Sequence, residues 1–130
     1  MYILDTNTLI YFFKGMGEVA NNIFATPPQE IGLPAIVLFE LEYGIKKSTS
    51  PDKRIKQLDE ICALITVLSF TASEAKLAAR IRADLEKKGT PIGHYDLLIA
   101  ATALSHQGTL ITNNVKEFER LPQLKIENWF

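Results

Sequence analysis

A chain of 130 residues is long enough to bury one sizeable hydrophobic core and too short for two. With 47% apolar and 22% charged residues it has the composition of an ordinary globular protein, and its balance of 14 basic against 15 acidic residues excludes a nonspecific cationic coat for nucleic acid. The single cysteine, Cys62, excludes an internal disulfide and a thiolate metal cluster, and no apolar run has the length of a membrane span or the form of a signal segment, so one domain (residues 1–130) in a reducing cytoplasm is expected.

Tyr2 to Leu4 is a short apolar run of strand character that stops at Asp5 and is followed by a helix-like segment ending at Gly15. A second helix is expected over Glu18 to Ala25, closed by Pro27-Pro28, then a strand over Glu30 to Leu33 and a helix over Ala35 to Lys47 that Pro34 opens. That third helix is apolar nearly all round, as a buried helix would be, so its acids Glu40 and Glu42 stand out. Ser50-Pro51 opens a fourth helix to about Leu64. Ile65 to Phe70 follows as a strand, and Thr71-x-x-Glu74 is a capping box for a long amphipathic helix to Lys88. A glycine-containing loop leads to Asp96, expected to open a helix over Leu97 to His106. Thr109 to Ile111 is a strand, Asn114 to Phe118 a short turn of helix, and Leu124 to Ile126 an edge strand. Strands alternating with helices predict an α/β fold with a mostly parallel sheet of four to five strands covered on both faces, with its strand-to-helix turns on one edge.

Ligands of such sheets sit at the carboxyl ends of the strands. Asp5 follows one strand and Asn114 with Glu117 follows another, while Asp96 stands beside the helix it begins. Taken singly, Asp5 or Thr6 as a helix cap and Asp96 as a first-turn stabiliser are sufficient accounts. Glu40 lies among Val37, Leu38, Phe39 and Leu41, and a buried carboxylate needs a cation or donors beside it; Gly44, one turn on, leaves room for something to approach. Glu42, near Lys46, reads as an exposed ion-pairing residue, although periodicity alone leaves open which glutamate points inward. Carboxylates without thiolates or a histidine cluster suit a hard cation, Mg²⁺ or Mn²⁺, and phosphate-ester chemistry.

Four segments, Leu4-Asp5-Thr6-Asn7, Glu40-Leu41-Glu42-Tyr43-Gly44, Pro91-Ile92-Gly93-His94-Tyr95-Asp96-Leu97 and Thr112-Asn113-Asn114-Val115-Lys116-Glu117-Phe118, together resemble the PIN-domain ribonucleases, and within them the VapC-type toxins of toxin–antitoxin pairs. The resemblance implies a PIN-like three-layer α/β/α fold and a toxin that inhibits translation as a Mg²⁺-dependent endoribonuclease on structured RNA. tRNA is the implied substrate, with initiator tRNA one candidate. It also selects Glu40 over Glu42, assigns Asp5, Glu40 and Asp96 as metal ligands, and adds Asn114 and Glu117 to the catalytic set. The implied partners are a second copy of the chain and a VapB-like antitoxin that occludes the acidic site. Many PIN domains have a fourth acid where Asn114 stands; Glu117, about a helical turn further, is the expected outer support.

Two other readings compete. A non-catalytic receiver-like module would bind a cation through the same acids, but it expects an aspartate after a middle strand, where this chain has Thr71. A two-aspartate phosphatase expects a second aspartate where this chain has Asn7.

Overall fold

A computed structural model describes residues 1–130. Five strands, β1 (Tyr2–Leu4), β2 (Ile31–Pro34), β3 (Thr66–Leu68), β4 (Thr109–Ile111) and β5 (Lys125–Glu127), form one sheet in the order β3-β2-β1-β4-β5, and every pairing is parallel. Around it lie seven α-helices, α1 (Thr6–Lys14), α2 (Val19–Phe24), α3 (Ala35–Lys46), α4 (Pro51–Cys62), α5 (Ala72–Lys87), α6 (His94–Ser105) and α7 (Val115–Phe118), with a 3-10 turn at Pro28–Glu30. This is the α/β architecture expected, with the sheet wholly parallel. Parallel strands need long crossovers, and the helices that supply them also cover the sheet.

The chain builds outward from β1 through β2 to β3, then crosses to the other side of β1 for β4 and β5. The direction of winding therefore reverses between β1 and β4, the place in an open parallel sheet where a crevice opens at the carboxyl edge. Register sets what meets there. Leu4 pairs with Ile111, so the next residues, Asp5 and Thr112, leave the sheet side by side, with Asp5 N donating to Ile111 O at 3.1 Å. Below them Ile3, Leu4, Leu110 and Ile111 have no exposed surface and belong to one continuous apolar core that includes Leu33, Leu58, Ile99 and Phe118.

Two helices differ from expectation. α3 is not buried all round: Val37, Leu41 and Ile45, spaced four apart, form its one buried stripe, while Phe39 and Tyr43 are exposed. Hydrophobicity summed around a helix does not distinguish an aromatic residue facing the core from one facing water. α6 begins at His94, two residues before Asp96, because Gly93, in extended conformation, serves as its cap, and Asp96 sits within the first turn rather than before it. Glu42 has no ion pair with Lys46; the salt bridge present is Arg82–Glu86.

The capping box at the start of α5 forms as expected. Thr71 N and Thr71 Oγ1 donate to Glu74 Oε1 at 2.8 and 2.7 Å. Ser105 Oγ, at the end of α6, donates to the other oxygen, Oε2, at 2.6 Å, which ties the two most extensively packed helices together. The Ser105 and Thr71 hydrogen bonds hold the Glu74 carboxyl down at about 2 from its ordinary 4.5. Because the folded value is depressed, this stabilisation is present above pH 4.5 and is lost as the pH falls through about 2. Ser105→Ala is accordingly expected to lower the melting temperature by a few degrees at neutral pH. Thermal scans should show that deficit shrinking as the pH is lowered below 4.5.

Candidate active site

Asp5 caps α1: its Oδ1 accepts from Thr8 N at 2.9 Å. Thr8 Oγ1 lies within hydrogen-bonding distance of both Asp5 Oδ1, at 2.8 Å, and Ile111 O, at 2.9 Å, and its one proton can serve only one at a time. The second carboxylate oxygen, Oδ2, accepts from Thr112 Oγ1 at 2.5 Å, and Thr112 Oγ1 in turn accepts from Asn114 N at 3.0 Å. Asp5 and Thr112 are both buried. Burial pushes the Asp5 carboxyl above its ordinary value of 3.8, against the pull of its threonine donors.

Glu40 extends from the second turn of α3, which starts where β2 ends. Its Oε1 accepts from Thr6 Oγ1 at 2.8 Å, so Thr6 orients a carboxylate and the cap is left to Asp5. Glu40 also borders a recess of about 210 Å³ shared with Ile10, Phe13, Lys14, Gly44 and Arg54. Gly44 is open there: a Cβ at that position would meet nothing within 4 Å, in keeping with the room expected beside Glu40.

Asp96 and Glu117 are hydrogen-bonding neighbours. Asp96, half-buried on the first turn of α6, is pushed up to about 7 from 3.8, chiefly by burial, then by the hydrogen bond and charge of Glu117, and further by the charges of Asp5 and Glu40. Glu117 keeps its own carboxyl below the ordinary value with hydrogen bonds from Gly93 N, at 2.7 Å to Oε1, from Asp96, and from Asn114 Nδ2, at 2.6 Å to Oε2. The two shifts run in opposite directions, so below about pH 7 the pair keeps one proton, and the raised value places it on Asp96. Gly93 fits closely here, since a Cβ would lie 3.3 Å from Asp96 Oδ2 and 3.6 Å from Glu117 Oε1.

The structure therefore brings Asp96, Glu117 and Asn114 into direct contact and sets Asp5 and Glu40 close enough for their charges to act on Asp96. No three of the acids converge on a common ion position in this arrangement; the oxygens of Asp5, Glu40 and Glu117 accept hydrogen bonds from Thr112 and Thr8, from Thr6, and from Gly93. Thr112 opens the fourth of the matching segments, but sequence alone assigns it no role in the site; its bond to Asp5 depends on the pairing of β4 with β1, which the sequence does not display. The acids suit a hard cation on their chemistry: oxygen donors only, a half-buried Asp96 whose reluctance to ionise is increased by the charges of Glu117, Asp5 and Glu40, and no lysine or arginine in ion-pair contact with any of them, Arg120 acting on Glu117 through its charge alone.

A parallel sheet with carboxylates gathered at the carboxyl edge of its switch point defines an open α/β protein that binds its ligand at that edge. The PIN domain family matches residues 2–124. Over 128 residues the chain is 37% identical to a tRNA(fMet)-specific endonuclease VapC of Salmonella typhimurium, covering 98% of this chain and 97% of the relative. Over 131 residues it is 38% identical to a ribonuclease VapC2 of Rickettsia felis, covering 99% and 98%. The chain belongs to the PIN-domain family, among the VapC-type ribonucleases. Among solved structures it is similar to the VapBC2 of Rickettsia felis bound to a promoter DNA fragment, with a TM-score of 0.91 at 37% identity over 99% of this chain and 98% of that one. It is equally similar to a DNA-bound VapBC of Salmonella typhimurium, with a TM-score of 0.92 at 36% identity and the same coverage.

Proposed function

We propose that this chain is the toxin of a toxin–antitoxin pair and inhibits translation by cutting structured RNA, tRNA first among the candidates, at a site that uses Mg²⁺ or Mn²⁺. Asp5, Glu40 and Asp96 hold the ion, and Asn114 and Glu117 support them. The observation that carries this reading is the charge gathered at one sheet edge: Asp96 responds to Glu117, Asp5 and Glu40 together, although these residues are far apart in sequence. Initiator tRNA enters as a substrate because one similar protein is a tRNA(fMet)-specific endonuclease.

When bound, the ion supplies Lewis acidity toward the phosphate and an activated water. The chain's own residues hold the acids ready for it. Thr6 and Thr8 with Thr112 fix the carboxylates of Glu40 and Asp5, and Glu117, anchored by Gly93 N and Asn114, holds the Asp96 proton that a bound cation would replace. The experiment is incubation of the purified protein with total RNA and with isolated initiator tRNA, with Mg²⁺ and with chelator. Discrete cleavage that needs the metal is expected. Absent or chelator-insensitive cleavage would leave the receiver-like module as the better reading.

An antitoxin of the VapB kind is the proposed partner, since the similar solved structures are VapBC assemblies. A groove of about 460 Å³, lined by Phe12, Phe13, Ile23, Phe24, Ile61 and Leu64, supports an apolar contact, with Phe24 left 78% exposed. The protein is also proposed to be a homodimer, which sedimentation tests directly.

A further inference from the structure

Three exposed aromatic side chains form a strip beside the acids. Phe39 and Tyr43, one turn apart on α3, stack with centroids 6.5 Å apart and planes 12° from parallel, and Tyr95 on α6 packs against Phe39 at 5.7 Å. As residues they are 52%, 57% and 49% exposed. The strip adjoins the site: Tyr43 lies three residues beyond Glu40, the spacing of neighbours on a helix surface, and Tyr95 shares the first turn of α6 with Asp96. At its far end Lys47 Nζ lies 4.9 Å above the Tyr43 ring. The other aromatic contacts have different tasks: Tyr2 on Trp129 and Tyr11 on Phe130 fasten the last residues to the fold, and Phe12 with Phe24 lines the apolar groove.

We propose that Phe39, Tyr43 and Tyr95 are a stacking platform for unpaired bases of the RNA strand whose phosphate enters the acidic site; the proposal rests on the ribonuclease reading above. A bound ion would engage one phosphate at the acids, but a net charge of −1 provides no general attraction for the rest of the backbone, so affinity along the strand has to come from contacts outside the acids. Ring faces accept any base, and a cation on the outermost ring meets the backbone beyond it, the pairing of rings and positive charge by which proteins grip single strands. A second copy of the chain would also cover apolar rings, but lysine is depleted at the centre of protein interfaces, and here Lys46 and Lys47 continue the strip. Bases within a duplex present no free face, so the substrate segment is an unpaired loop or end.

The test uses the full chain. Tyr43→Ala and Tyr95→Ala, with the ring-preserving Tyr43→Phe and Tyr95→Phe, are compared in an Asp5→Asn background with Mg²⁺ present. Binding of a short unstructured RNA oligonucleotide and of its blunt duplex is followed by fluorescence anisotropy. Each alanine variant is expected to weaken binding of the unstructured strand by about tenfold, with the phenylalanine variants near the parent, duplex binding unaltered and sedimentation unchanged. In the active background the alanine changes raise KM more than they lower kcat. Unaltered affinity for the unstructured strand, an equal loss for the duplex, or a loss that follows dissociation of a dimer would each overturn the platform, the last assigning the strip to a second copy. If the unsubstituted chain cuts RNA while the alanine variants bind it as well as the parent does, only this proposal falls; if the unsubstituted chain neither binds nor cuts RNA, the ribonuclease reading falls with it.

Discussion

Asp5→Asn is expected to abolish RNA cleavage, by about a thousandfold or more, while leaving the melting temperature within a few degrees of the parent. An amide oxygen in place of Oδ1 still accepts from Thr8 N and preserves the cap of α1. On the other side an amide N–H faces Thr112 Oγ1, which already accepts from Asn114 N and has a second lone pair free. One hydrogen bond to a charged oxygen is lost, but so is a carboxylate that burial makes reluctant to ionise, and the two effects oppose each other at about 1–3 kcal/mol each. Activity has no such compensation. A ligand charge removed from a divalent-ion site forfeits several kcal/mol of transition-state stabilisation, and each 1.4 kcal/mol is about tenfold in rate. Single-turnover cleavage with saturating Mg²⁺, alongside thermal melts of the same preparation, separates the outcomes; a variant that cuts at the parental rate would remove Asp5 from the metal site.

Divalent-ion affinity should climb about tenfold per pH unit up to about pH 7 and then level off, with one proton released for each ion bound. The proton is the one that Asp96 holds against Glu117, and it must leave before Asp96 can ligate. Stability without metal runs in the opposite sense. The folded value of Asp96 is raised to about 7 from 3.8, so between those limits the folded state keeps a proton that the unfolded chain has given up, and stability declines as the pH rises through that window. Saturating Mg²⁺ or Mn²⁺ offsets the decline, because it binds only the folded protein. Asp96→Asn provides the control: its amide donates to Glu117 as the protonated acid does, so the variant should fold well, show no such decline, and lose the pH slope of metal binding together with cleavage. Isothermal titration in two buffers of different ionisation enthalpy counts the proton. A pH-independent affinity between 5 and 7 would place the shared proton elsewhere.

Much of the sheet was legible because parallel strands buried on both faces appear as short apolar runs. Tyr2–Leu4 and Thr109–Ile111 fall where the runs end, and the remaining strands shift by a residue or two. Asp5 was legible for the same reason, as a carboxylate stopping such a run. Glu40 needed the resemblance, since helical spacing alone does not separate it from Glu42. What could not be read is everything that depends on long-range register. Thr6 looks like a cap in sequence and becomes a donor to Glu40 only once α1 and α3 pack together. The bond from Gly93 N to Glu117 spans 24 residues and has no local pattern. Phe39 and Tyr43 read as core because aromatic rings count toward burial whether they meet the interior or a ligand.

The central strand also governs when the site can exist. Thr112 reaches Asp5 across 107 residues of sequence, and β1 gains its second neighbour only when β4 docks. A ribosome making this chain must therefore extrude more than a hundred residues before the pocket closes around Asp5, and contacts this distant in sequence form late in folding. The pocket around Asp5 is thus assembled only after Thr112 has been made and has joined the sheet, so topology couples the formation of the site to the synthesis of a distant segment.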